Sequence, residues 1–297
     1  MKRKPARPFL KWAGGKTQLL PDIARRLPQS VNNNCFSYYE PFVGSGAVLF
    51  RMLDRFKNLK NVVVNDVNED LINTYTVIRD ECAGLIEFLR AMQDEFYALG
   101  LDGVDRKNFY NDRRNIFNEK KAASVEQAAL FIFLNRTCFN GLYRVNSSGE
   151  FNVPMGNYRK PLICDPENLK AVSEAIQKVV FLTGDYQQIF SYRGECNFFY
   201  FDPPYKPLSD SSNFNSYAKS VFDDHEQIRL KLFCDQLHAQ GDSWMLSNSD
   251  VKGYDPRNNF FDDLYAGYHI ERVFARRNIN SKSDKRGKLT ELLITNY

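Results

Sequence analysis

One acid, two prolines and a tyrosine, Asp202-Pro203-Pro204-Tyr205, close the apolar run "FFYF". Proline has no N–H for a sheet ladder and holds the residue before it extended, so a strand ends here with a carboxylate and a ring displayed rigidly. Such a group suits a planar base that carries an exocyclic amine, whose nitrogen is a poor nucleophile because its lone pair is delocalised. Asp202 and the Pro203 carbonyl would accept the two N–H bonds of an adenine amine and localise the lone pair, while Tyr205 stacks on the base. The same acceptors stabilise positive charge developing on the nitrogen during methyl transfer. Inside a duplex stack that nitrogen is out of reach, so the chemistry requires the base to be turned out.

A second group could hold the donor. "EPFVGSG" places Gly44 and Gly46 between an apolar strand and a helix, where glycine permits positive φ and close approach of a ligand. Asp66 ends the next strand, "NVVVND", where an acid can accept hydrogen bonds from both ribose hydroxyls of a nucleoside. A third glycine at the pyrophosphate position is missing, which counts against a dinucleotide. S-adenosylmethionine carries ribose and adenine without phosphate and fits better.

"WAGGKT" imitates the tail of a phosphate loop, but G-x-x-x-x-G-K-S/T needs a leading glycine at position 10, which is Leu10. No apolar strand leads into it. Lys16 therefore needs a partner other than a nucleotide phosphate.

Elements must bring these groups together. "GKTQLLPDIARRL" carries Leu19, Leu20, Ile23 and Leu27 at helical spacing, and residues 69–97 read as helix with Leu71, Ile72, Tyr75 and Ile78 on one face. A polar stretch near 98–108 breaks that pattern. "SVEQAALFIFLNR" opens with a capping-box signature, Ser124 and Gln127. Residues 136–160 are an Asn- and Gly-rich loop or ribbon. The strand–helix rhythm then returns with "VVFLTGD", "FFYFD", a helix from Asp224 to about Gln240, "SWMLSNSD" and two terminal strands around a basic loop. Strands alternating with helices on both sides of an insert predict an α/β fold interrupted by a second unit over 69–164.

The chain has 297 residues, 43% apolar and 26% charged, as in soluble globular proteins. It has no run of 18 apolar residues and no apolar core behind its basic N-terminus, which argues against a membrane span and a secretory signal. Six scattered cysteines without a C-x-x-C pair read as reduced, mostly buried thiols, and three dispersed histidines predict no metal site. Residues 1–26 carry eight bases against Asp22 alone. A second basic cluster holds Arg276, Arg277, Lys282, Lys285, Arg286 and Lys288. Around one cleft they would form the salt-sensitive footprint of a nucleic-acid binder.

The motifs "FLKWAGGK", "EPFVGSGAVLF", "NDVNEDLINTY", "FLNRTCFNGLYRVNSSGEFNVPMGNY", "FDPPY" with "PLS", and "ELLITNY" appear in the order of the alpha group of Dam-type DNA adenine-N6 methyltransferases, and nearly the whole chain resembles that family. The resemblance implies a Rossmann-like mixed sheet of the S-adenosylmethionine-dependent kind with an inserted, mostly helical target-recognition domain. The catalytic domain would comprise residues 1–68 and 165–297, and the recognition domain 69–164. By the same resemblance, Trp12, Lys16, Gly44, Gly46, Asp66, Asp185, Tyr186 and Asp202 face the cofactor, and Asp202, Pro203 and Tyr205 serve catalysis. Lys11, Phe139, Asn140, Leu142, Arg144 and Pro154 contact DNA, with Arg144 suited to bidentate binding of guanine. Phe139 stands where bacterial Dam relatives carry tyrosine; it keeps the stacking face and loses a hydroxyl. The Thr137-Cys138 pair also differs from some relatives.

The implied partner is double-stranded DNA, with GATC the favoured target and S-adenosylhomocysteine the product. The implied protein is a cytoplasmic monomer, functionally paired with a restriction endonuclease or working alone. Asp202 opposes methylation of cytosine N4 or of a protein amide, whose enzymes tend to begin the tetrapeptide with Ser or Asn. RNA methylation and an inactive DNA binder remain the alternative readings.

Overall fold

The computed structural model describes residues 4–100, 103–121, 123–208, 222–275 and 289–297. The second basic cluster, Lys2, Arg3 and Ser209 of "PLS" lie outside the described residues.

Seven strands form one sheet: β1 (Phe36–Glu40), β2 (Leu59–Asp66), β3 (Val179–Thr183), β4 (Asn197–Phe201), β5 (Ser243–Ser249), β6 (His269–Ala275) and β7 (Leu289–Thr295). Their order is β3-β2-β1-β4-β5-β7-β6, with β1 to β5 parallel and β7 antiparallel to both β5 and β6. The chain order reverses direction at β1 and β4, so their carboxyl ends open onto the crevice where α/β sheets bind ligands.

Side chains alternate across the sheet and divide the core in two. Tyr38, Val62, Val64, Phe198 and Tyr200 face one apolar cluster. Tyr39, Val63, Phe199, Phe201, Trp244 and Ile294 face the other. The first face is covered by α1 (Leu20–Arg25), α2 (Gln29–Asn33), α3 (Ala47–Arg55), α4 (Glu69–Asp80), α5 (Cys82–Ala98), α6 (Val104–Glu119), α7 (Ser124–Thr137) and α8 (Pro166–Ala175). The second face is covered chiefly by α9 (Asp224–Ala239), with the short α10 (Val251–Tyr254) and α11 (Phe260–Leu264) beside it. The first cluster runs without a break from β1 and β2 through α4 into α5–α7 and on to Phe151 and Val153.

Three local expectations change. The predicted single helix over 69–97 is two, parted at Glu81, whose backbone leaves helical geometry at φ −132°. The polar 98–108 stretch runs into α6, whose apolar face is sparse but buries Tyr110 and Phe117. The predicted capping box does not form. Ala123 occupies the cap of α7, the Ser124 hydroxyl donates to Asn73 at 2.5 Å, and Gln127 donates to the Phe117 carbonyl at 3.1 Å. Tertiary partners outcompete the local cap. Of the cysteines, Cys138, Cys164 and Cys234 are buried as expected, whereas Cys35 and Cys196 are exposed; all six are free.

Candidate active site

Asp202 lies one residue beyond β4, at the crevice. Its Oδ1 receives the Lys16 ammonium at 2.7 Å and the Ser247 hydroxyl at 3.1 Å. Ser247 comes from neighbouring β5 and is fully buried, with its hydroxyl also 3.0 Å from that of Tyr200. Lys16 is 5% exposed; its Nζ also donates to the Gly14 carbonyl at 2.8 Å and stands 4.4 Å from the centre of the Tyr205 ring. The lysine of the imitation phosphate loop thus spends its charge on a carboxylate and a π face. Burial pushes the Asp202 carboxyl above its ordinary range, while Lys16 and Ser247 pull it back. The Asp202 side chain keeps 20% exposure, enough for a ligand to approach. The Tyr205 hydroxyl donates to Glu291 on β7 at 2.6 Å. Pro203 is buried behind this face and Pro204 is exposed.

The glycine turn follows β1. Gly44 has φ +47°, and a Cβ there would stand 3.0 Å from the Trp12 indole. Gly46 has φ +72°, and a Cβ there would meet the Tyr75 hydroxyl at 2.6 Å. Only glycine fits either position. Asp66 ends β2, with Oδ2 accepting from Gly44 N–H and Oδ1 from Asn68 N–H, each at 3.0 Å. Burial raises its pKa against these backbone bonds. Beside it Val67 is 68% exposed, an apolar surface left at the crevice. A close-approach turn, an acid at the adjacent strand end and an uncovered apolar side chain fit a nucleoside with a ribose diol and a flat base. Asp185 and Tyr186 follow β3. Asp185 caps the 3-10 turn Tyr186–Tyr192 through Gln187 N–H at 2.9 Å and holds Arg229 at 2.5 Å. Tyr186 is buried, and its hydroxyl has no hydrogen-bond partner among the described residues.

The ribbon after α7 is tied to this crevice. The Asn135 side chain accepts from Lys11 N–H at 2.9 Å, and its amide donates to the Lys11 and Gly141 carbonyls at 2.8 and 3.0 Å. One residue on, Trp12 stacks on Tyr143 with centroids 5.9 Å apart at 23°. Tyr143 points inward, but its neighbours Leu142 and Arg144 are exposed, as are Phe139 (52%), Asn140 and Pro154. Phe139 and Leu142 thus hold large apolar side chains in the open. Asn140 has φ +55°, and the Pro154 carbonyl accepts from Phe139 N–H at 2.9 Å. Arg144 is exposed, with Nε donating to Asn152 Oδ1 at 2.7 Å and Nη2 to the Asn152 carbonyl at 3.3 Å. The Lys11 ammonium lies 4.1 Å from the Tyr158 ring centre.

Residues 12–279 match the model of the D12 class N6 adenine-specific DNA methyltransferases. The chain belongs to this family. The D12-class enzyme is 48% identical over 295 residues to Type II methyltransferase M.MjaIII of Methanocaldococcus jannaschii, covering 98% of this chain and 99% of that relative. It is 34% identical to the DNA adenine methylase of Haemophilus influenzae, over 97% of this chain and 92% of the relative. With the DNA adenine methylase of Escherichia coli K12 it shares 33% identity, over 98% and 95%. The family is of the kind that takes its methyl group from S-adenosylmethionine. The seven-stranded mixed sheet agrees with that fold class.

Four neighbours of the candidate site escape sequence reasoning: Ser247 and Glu291 beside the tetrapeptide, and Asn135 and Tyr143 between Lys11-Trp12 and the ribbon. Ser247 and Glu291 lie 45 and 89 residues beyond Asp202 in the chain. A polar residue inside the apolar run "SWMLSNS", and the acid opening "ELLITNY", are the signals that could have singled them out.

Proposed function

We propose that this D12-class methyltransferase binds duplex DNA, turns one adenine out of the stack and methylates its N6, with GATC as target. The observation that carries the reading is the convergence of Asp202, Tyr205 and Lys16, an acceptor carboxylate beside an aromatic face, at the crevice next to the glycine turn. Bound S-adenosylmethionine supplies an electrophilic methyl on a sulfonium, with S-adenosylhomocysteine as product. Trp12, Lys16, Gly44, Gly46, Asp66, Asp185 and Tyr186 hold that cofactor, with Asp66 on the ribose. Tyr205 stacks on the flipped base while Asp202 and the Pro203 carbonyl accept the amine N–H bonds. The amine replaces Lys16 at Asp202 Oδ1, and Asp202 takes the proton the nitrogen loses once the new bond forms. Low local dielectric makes these fixed acceptors worth more than water would be.

Residues 69–164 act as the target-recognition unit. Phe139, Asn140, Leu142 and Pro154 probe bases or fill the gap left by the adenine, Lys11 reads the outer pair, and Arg144 reads guanine. High identity to a relative named a Type II methyltransferase supports pairing with a restriction endonuclease. The test is labelled S-adenosylmethionine with duplexes that differ at single positions of GATC, followed by base analysis. Label in N6-methyladenine of GATC alone is expected. Label in cytosine or RNA, or in adenines of unrelated sequence, would sink the target assignment.

A further inference from the structure

We infer that Glu291 is a positioning residue for methyl transfer: it holds the Tyr205 hydroxyl, and through it the ring on which the target base stacks. The inference rests on the reading of Asp202–Tyr205 as the methyl-transfer site.

Tyr205 follows two prolines and lies outside every strand, so the backbone fixes where its side chain starts but not where the ring settles. Two neighbours settle it. The hydroxyl donates to Glu291 Oε2 at 2.6 Å, which pins the far end of the ring and fixes rotation about χ1. The Lys16 ammonium against one face, 4.4 Å from the centroid, opposes tilt about the ring axis. When the base displaces Lys16, the Glu291 bond is the restraint that remains.

Glu291 is well built for this. It lies on β7 between two ladders, opposite Ser249 of β5 and Val273 of β6, so its Cα is fixed from both sides. The phenol is the one hydrogen-bond donor to its side chain among the described residues. A bond from hydroxyl to carboxylate is short and about twice as strong as a neutral one. Burial and the charges of Asp202 and Glu291 push the phenol well above its ordinary pKa, so it stays a donor. Glu291 also carries a cost: its charge pushes up the pKa of Asp202, against the carboxylate the reaction needs. A group that opposes its neighbour's ionised form, yet accepts the tetrapeptide's phenol hydrogen at 2.6 Å, is explained by what it does for the ring.

The test is a cycle of Glu291→Ala, Tyr205→Phe and the double variant, with Glu291→Gln as rescue, on duplex DNA bearing the target mapped for the wild type. Steady-state kinetics, S-adenosylhomocysteine affinity and the emission of 2-aminopurine at the target base are read. Each single variant should lower kcat roughly 10- to 100-fold, the span expected for loss of a charge-assisted hydrogen bond. Cofactor affinity should stay within about threefold of wild type, since the phenol oxygen and the Glu291 carboxylate bond to each other and to no residue assigned to the cofactor among the described residues. The double variant should be no worse than the worse single, because both remove one bond. Gln accepts the same hydrogen and should recover most of the loss. Additive losses, or a Gln variant as slow as Ala, would overturn the inference. If Glu291→Ala does not fold, Tyr205→Phe decides alone: that variant removes the one bond through which Glu291 is argued to act, so wild-type kcat there overturns the inference. A wild type that methylates no adenine would instead overturn the function reading.

Discussion

Asp202 sits in a contest between burial, which favours its neutral form, and Lys16, which favours the charged one. The proposed chemistry needs the carboxylate, so turnover should fail on the acid side at a pH above that of a free aspartate. Lys16→Met removes the opposing cation and should move the acid limb of kcat/KM, which reports the free enzyme, to higher pH; a limb that stays in place refutes this role. Asp202→Ala should lower kcat at least about 10²–10³-fold, the scale for removing one fixed transition-state partner. DNA binding should stay largely intact in gel-shift titrations, and equal loss of binding would sink the assignment. Glu40, 2% exposed beneath the glycine turn, is held well above its ordinary 4.5 by burial, although Tyr38 donates to it at 2.8 Å. Between those two values the folded chain binds more protons than the unfolded one, so this group's contribution to stability falls as pH rises. Glu40→Gln should therefore melt higher relative to wild type at pH 8 than at pH 4, as read by thermal denaturation. At this scale Asp202 and Tyr205 are legible in the sequence, because prolines impose local geometry on their neighbours. Glu291 and Ser247 are not, because only strand pairing brings them near.

At the scale of elements, the ribbon after α7 behaves as one piece with the segment at Lys11-Trp12. Alternation along Leu142-Tyr143-Arg144 puts two side chains outward and one ring inward on Trp12. Tyr143 also packs on Phe131 and Phe151, with centroids 5.5 and 5.9 Å away. Tyr143→Ala should cost about 3 kcal/mol of stability, as large-to-small aromatic changes do, whereas Tyr143→Phe should cost under about 1 kcal/mol because its 3.4 Å bond to Asp70 is long. Denaturant melts separate the two. Arg144 points away from this packing. Arg144→Ala should lose roughly 1–3 kcal/mol of discrimination at one base pair; uniform weakening across sequences would make it a phosphate ligand instead. The capping box of α7 is the opposite lesson. Its residues were present, but Asn73 and α6 offered those side chains better partners.

For the whole molecule, most of the described bases of residues 4–26 are paired with carboxylates. Lys4 pairs with Glu167, Arg7 with Asp165, Arg25 with Asp22, and Arg26 with Asp22 and Glu271. Lys16 is spent on Asp202, and among the described residues of that stretch Lys11 alone has no carboxylate partner. Exposed pairs of this kind add little stability, but they blunt the cationic footprint that composition suggested. Arg26→Ala should thus leave the salt dependence of DNA binding unchanged, whereas removing a cation that does neutralise a phosphate would flatten the log–log slope by about 0.9. No described helix is long and apolar enough to cross a membrane.

Sequence alone determined the strand ends that carry Gly44, Gly46, Asp66 and Asp202, because glycine, proline and apolar runs act on the backbone within a few residues. It also determined the family, whose motifs lie in order along the chain. Tertiary structure alone decided that Lys16 answers Asp202, that Tyr143 backs Trp12 and that Glu291 holds Tyr205. Each pair is separated by 86 to 186 residues. Their meeting depends on strand order, a crossover and an antiparallel return strand. These are outcomes of burying two apolar sheet faces at once, and no local pattern encodes them.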